Sequence, residues 1–161
     1  MALNPKSSEL QAGDKAPEFT LPTDNDGEVS LSALKGKKVV IYFYPKDTTP
    51  GCTTESKDFR DLASAFDAQN TIIFGASKDG IKSHNKFKEN NCLPFQLISD
   101  EEGAMLEAYN VWKEKQMYGR TYMGIERSTF LIDENGMIDK IWRKVKVKNH
   151  AAEVLDTIKD A

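Results

Sequence analysis

KKVVIYFYPKDTTPGCTTESKDF, residues 37–59, changes its periodicity halfway along. From Lys37 to Pro45 it is a nearly continuous run of β-branched and aromatic residues. Such a run predicts a central strand buried on both faces. Pro45 ends it, because proline has no N–H to give to a ladder. From Cys52 to Gln69 the apolar positions are Phe59, Leu62, Ala63 and Phe66, a 3.6-residue period that predicts a helix with one buried stripe. Pro50 suits its first turn and the neighbouring threonines suit its cap. A cysteine, Cys52, therefore falls where a buried strand has ended and a helix begins.

Working outward, "APEFTLP" and "EVSLSAL" read as short extended pieces around a turn at Asp26-Gly27. "TIIFGAS" is a second buried strand and "FQLISD" a third, with "DGIKSHNKFKENN" between them as a polar, exposed helix. "GAMLEAYNVW" reads as a short helix. "STFLID" and "MIDKIW" flank Glu134-Asn135-Gly136, a strong hairpin signal. From Asn149 onward Ala152, Val154, Leu155 and Ile158 have helical spacing. Strand–helix alternation implies parallel strands with helical crossovers, and the hairpin adds antiparallel ones. The expected fold is α/β, with a mixed central sheet flanked by helices, and the thioredoxin-like architecture fits it best.

At 161 residues the chain is expected to form one domain, 1–161, with residues 1–12 as a loose N-terminal arm. Its net charge of −3 is small and both signs are interspersed, so no basic stripe points to nucleic acid. No apolar run approaches the roughly 20 residues of a membrane span, and the N-terminus lacks the apolar segment of a signal peptide. These features lead us to expect a cytoplasmic protein with reduced thiols. The two histidines, His84 and His150, lack ligand spacing, so neither a metal nor any other cofactor is expected. The basic "KIWRKVKVKNH" reads as the exposed side of an edge strand. Trp112 and Tyr118 border a polar loop and read equally as an active-site wall or a satellite core.

Cys52 can be a buried apolar filler or a reactive group. A helix N-terminus offers unpaired N–H groups and the positive end of the macrodipole, both of which stabilise a thiolate. The Pro-Gly before it suggests a tight, accessible turn. The reactive reading is therefore preferred.

Pro45-x-x-x-Thr49-x-x-Cys52 resembles the peroxiredoxin signature P-x-x-x-T-x-x-C, and "YFYPKDTTPGCTTE" is similar to the bacterioferritin comigratory protein, or peroxiredoxin Q, subgroup. "GDKAPEFTLP", "LISDEEG" and "YGRTYMGIERSTFLIDENG" follow in the expected order, so the resemblance spans nearly the whole chain. It implies an antioxidant thiol peroxidase, with Cys52 attacking a hydroperoxide to become a sulfenic acid. It further implies that Thr49 meets the peroxide and that Pro45 shields the thiolate. Arg127 would hold both sulfur and peroxide through its fixed fork of donors, and Glu55 would orient Arg127. The implied partners are a hydroperoxide and a thioredoxin, glutaredoxin or small-thiol reductant, and the implied state is a monomer. In general, lowering a thiol's pKa from about 8.5 to about 6 raises the thiolate fraction at neutral pH only about thirtyfold, about 2 kcal/mol. Most of an efficient rate must then come from donors aimed at the O–O bond.

The sequence departs from the subgroup at position 57. Many members have a resolving cysteine there, five residues after the reactive one; here it is Lys57. The other cysteine, Cys92, lies about a turn beyond Lys88, the region from which some relatives resolve. Cys92 reads first as a semi-buried helix-end residue and second as the resolving cysteine of an atypical two-cysteine enzyme. A one-cysteine mode is expected. A thiol–disulfide oxidoreductase is disfavoured because C-x-x-C would need cysteine at Glu55, while a non-enzymatic redox sensor or holdase would use the same Cys52.

Overall fold

The computed structural model describes residues 9–160. Its elements are β1 (Thr20–Thr23), β2 (Gly27–Ser30), β3 (Lys38–Phe43), α1 (Pro50–Ala68), β4 (Thr71–Ser77), α2 (Ile81–Asn91) and β5 (Gln96–Ser99). They continue with α3 (Ala104–Ala108), β6 (Trp112–Met117), β7 (Arg120–Ile125), β8 (Ser128–Ile132), β9 (Ile138–Trp142) and α4 (His150–Lys159). Seven strands form one sheet in the order β2-β1-β5-β4-β3-β8-β9. β3 lies inside it, parallel to β4 and antiparallel to β8. The mixed thioredoxin-like sheet expected from the sequence is present.

β3 shows why an unbroken apolar run was required. Val39, Ile41 and Phe43 enter one core with α3, while Val40 and Tyr42 enter the other with α1, α2 and α4. Successive side chains point to opposite faces, so a strand covered on both sides has no polar position to spare. Tyr42 fixes the height of α1. Its ring stacks on Phe59 at 4.7 Å, a contact worth about 0.5–1.5 kcal/mol beyond burial, and its hydroxyl bonds Ser56 Oγ at 2.8 Å. Gly75 makes room for that ring: a Cβ there would stand 2.8 Å from it.

Several expectations need correction. The helix expected in "GAMLEAYNVW" stops at Ala108, and Trp112 opens an antiparallel hairpin, β6–β7, where the sequence predicts a polar loop. Its two-residue turn places Tyr118 and Gly119 at φ 53° and 77°, and tyrosine is a poor cue for that geometry. Tyr118 is fully exposed and Trp112 packs on the larger core, so they do not form one wall. α2 is not simply exposed, since His84, Phe87 and Asn91 are buried. In α4 the buried alanine is Ala151, not Ala152. The basic segment leaves the edge strand at Trp142. Residues 1–8 of the expected arm lie outside the described residues. Beyond them, Leu10 N–H donates to Asn110 Oδ1 at 2.9 Å and Glu9 pairs with Lys113. Among the described residues no helix is long and apolar enough to cross a membrane.

Candidate active site

Cys52 is the third residue of α1 and is fully buried, contrary to the accessible turn read from Pro50-Gly51. The first backbone bond into this helix runs from Thr53 N–H to Thr49 C=O at 2.9 Å. The N–H groups of Gly51 and Cys52 therefore precede the helical ladder, and the positive end of the macrodipole surrounds the sulfur.

Arg127 arrives from the link between β7 and β8, 75 residues away in sequence. Its Nη2 donates to Cys52 Sγ at 3.4 Å and its Nη1 to Glu55 Oε1 at 2.5 Å. Glu55 is one helical turn beyond Cys52, so both partners lie on one face of α1. Gly51 also matters: a Cβ there would stand 3.3 Å from Arg127 Nη2. Burial pushes the Glu55 carboxyl up to about 7, while the charge and hydrogen bond of Arg127 oppose that shift. Glu55 Oε2 is buried without a hydrogen-bond partner. Burial works against the charge on Arg127, but Glu55 and the sulfur outweigh it and hold the guanidinium above its ordinary value.

The segment between β3 and α1 carries Pro45 and Thr49. Pro45 is exposed and Thr49 half-buried. Thr49 is the N-cap residue, yet its hydroxyl makes no cap; it donates to Lys46 C=O at 3.0 Å. Thr48 has φ 71°, a left-handed conformation that costs a β-branched residue about 1–3 kcal/mol. A cavity of about 480 Å³ opens beside this helix start, between Pro50, Gly51 and Thr54 on one side and Val147 and Lys148 on the other.

The structure thus joins Cys52, Glu55 and Arg127 by direct contact. It leaves Thr49 and Pro45 on the adjoining segment. Cys92 stands apart: it is exposed, not semi-buried, and caps the end of α2 in a left-handed conformation at φ 51°. Both thiols are free. Sequence reading missed a second polar group beside the site, made by the buried Tyr44, Asp47 and His84 with the half-buried Asp79 and Ser83. The signal was weak, because these residues are scattered over three segments and only the fold assembles them.

Residues 12–141 match the model of the AhpC/TSA family. A curated relative, peroxiredoxin Bcp of Bacillus subtilis, is 54% identical over 151 residues, covering 94% of this chain and 96% of that protein. A putative peroxiredoxin bcp of Coxiella burnetii is 51% identical, covering 91% and 97%. Among solved structures, peroxiredoxin Q of Xanthomonas campestris superposes with a TM-score of 0.85 at 46% identity, covering 88% of this chain and 90% of that one. A mutant of Xylella fastidiosa PrxQ gives 0.91 at 39% identity, covering 95% and 98%.

Proposed function

The chain belongs to the AhpC/TSA family, among its Bcp or Q-type peroxiredoxins, and from that membership we propose a thiol-dependent peroxidase in which Cys52 is the reacting group. The Cys52 thiolate attacks the terminal oxygen of a hydroperoxide. An S–O bond forms and the O–O bond breaks. The electron pair leaves on the other oxygen, which takes a proton and departs as an alcohol, or as water from hydrogen peroxide. Arg127 holds the sulfur and the oxygen on which charge develops, because its planar fork carries several donors and never loses its proton. Glu55 orients that fork. Thr49, whose own proton is engaged by Lys46 C=O, accepts from the peroxide O–H. Pro45 limits water at the mouth of the site.

The observation that carries this reading is the single guanidinium shared between Cys52 Sγ and Glu55 at the start of α1. The test is hydroperoxide consumption with thioredoxin, glutaredoxin or a small thiol as reductant, comparing the parent with Cys52→Ser. Turnover retained by the serine variant would remove Cys52 from the reaction.

The enzyme works in a one-cysteine mode as a cytoplasmic monomer, its sulfenic acid reduced by an external thiol. Lys57 supports this, as does the placement of Cys92. The residue of α1 that reaches the end of α2 is Arg60, whose Nη1 bonds Asn91 C=O at 3.0 Å. Arg60 lies about 12 Å of helix rise beyond Cys52. A disulfide needs Cα atoms within about 7 Å. The second reading, an atypical two-cysteine enzyme, is favoured by the exposure of Cys92 and requires a helix end to unwind. A Cys52–Cys92 disulfide after one equivalent of peroxide would establish it.

A further inference from the structure

Asp47 lies midway between Pro45 and Thr49 and is buried. Its Oδ1 accepts from Tyr44 Oη at 2.6 Å, and its Oδ2 accepts from Ser83 Oγ at 2.8 Å. Its backbone N–H donates to Asp79 Oδ2 at 2.7 Å. With two hydroxyl donors already on it, the carboxylate is an acceptor towards its third neighbour, His84 Nδ1 at 2.8 Å. The other ring nitrogen, Nε2, is 2.9 Å from Ile98 C=O, which can only accept. Both nitrogens of His84 therefore face acceptors, and the ring that satisfies them is the doubly protonated imidazolium.

This pair links three elements: α2 through His84, β5 through Ile98 and the β3–α1 segment through Asp47. Asp47 immediately precedes Thr48, whose left-handed backbone needs support from its surroundings. His84, Asp47 and Asp79 would also offer metal-type ligand atoms within 4.8 Å of one another. Each is already engaged by protein partners, so the arrangement reads as a hydrogen-bonded clamp.

We propose that His84 is a positioning residue of the peroxidase reaction, its charged ring clamping Asp47 so that the strained segment holds Thr49 and Pro45 over Cys52. The proposal rests on the peroxidase reading. Burial opposes the charge on His84, but the hydrogen bond and charge of Asp47, then Ile98 C=O and Asp79, outweigh it and raise its pKa above the ordinary value. Tyr44, from the end of β3, completes the titratable groups facing the ring.

The test compares two reactions of Cys52 in the full chain carrying Cys92→Ser. Oxidation by hydrogen peroxide depends on the Thr49 segment; alkylation by iodoacetamide needs only the thiolate. His84→Gln is expected to slow oxidation tenfold or more while alkylation stays within twofold. Nitrogen-15 spectra at neutral pH are expected to show both ring nitrogens of His84 protonated, and one of them losing its proton in Asp47→Asn. Oxidation within twofold of the parent, equal losses in both reactions, or a neutral His84 in the parent would each overturn the role. A parent that does not react with peroxide at all overturns the peroxidase reading, and this role with it. Should His84→Gln fail to fold, Ser83→Ala removes one donor from Asp47 at little structural risk. It is expected to slow oxidation threefold or more with alkylation unchanged, and an unchanged oxidation rate overturns the proposal.

Discussion

Arg127 binds Glu55 and Cys52 with different nitrogens of one guanidinium, Nη1 at 2.5 Å from the carboxylate and Nη2 at 3.4 Å from the sulfur. The carboxylate fixes the plane of the fork, and that plane fixes where the second nitrogen points. Lysine is a point charge on a flexible stem and cannot serve both partners in this way. Arg127→Lys is therefore expected to slow oxidation of Cys52 about a hundredfold, or about 3 kcal/mol, the scale of losing one aimed donor. Stopped-flow oxidation by hydrogen peroxide reads this directly, and a rate within threefold of the parent would leave Arg127 as a structural ion pair.

Gly51 makes that approach possible. A methyl group there would sit 3.3 Å from Nη2, so the guanidinium must move by a few tenths of an ångström. Gly51→Ala is expected to fold normally and to react with peroxide roughly threefold to tenfold more slowly, since positioning errors at a reacting centre are costly. An unchanged rate would show that Arg127 has slack at this position.

Glu55 links function to stability through its proton. In the unfolded chain it ionises near 4.5, and in the folded chain burial delays this to about 7. The folded state then holds the extra proton between those values, so stability is lost as pH rises from about 4.5 to about 7. The span corresponds to at most about 3 kcal/mol. Glu55→Gln is expected to remove this loss and to be more stable than the parent at pH 8, yet slower with peroxide. Urea unfolding of both proteins at pH 5 and pH 8 checks it; parallel pH profiles would mean that Glu55 is ionised throughout.

Much of this arrangement was legible in the sequence because its determinants are local. The two-faced burial of β3, the start of α1 and the Pro45-to-Cys52 spacing each lie within one segment. Arg127 was reached only through a family motif, since no periodicity connects residue 127 to residue 52. The β6–β7 hairpin escaped because its strands are mostly polar and its turn uses Tyr118. His84 looked bland for a related reason: a histidine on a polar helix gives no sign of being buried until the fold sets Asp47 against it.

His84 shifts stability in the same direction as Glu55 but for the opposite reason, since its partners favour the charged form. Its folded pKa lies above the ordinary value, so its contribution is fully present below about 6.5 and is lost as pH rises through the raised value. Thermal unfolding from about pH 6.5 upward is expected to show a fall in midpoint for the parent that is shallower in His84→Gln. Equal slopes would mean that the ring is already neutral in the fold.

Cys92 is exposed, Cys52 is buried, and both thiols are free. Cys92→Ser is expected to keep full turnover with a small-thiol reductant. Without an internal thiol to compete, excess peroxide is expected to carry Cys52 on to the sulfinic acid. Loss of thioredoxin-supported turnover in this variant would favour the two-cysteine mode.

The proposed role of Cys52, held by Arg127, is to take oxygen from the peroxide. It is tested most directly by mass spectrometry of the reduced protein after one equivalent of hydroperoxide, with dimedone present to trap sulfenic acid. One dimedone adduct per chain is expected, on Cys52, formed rapidly in the parent, slowly in Arg127→Lys and not at all in Cys52→Ser. An adduct on Cys92 alone, or a parent left unmodified while Cys52 remains free to alkylate, would contradict it.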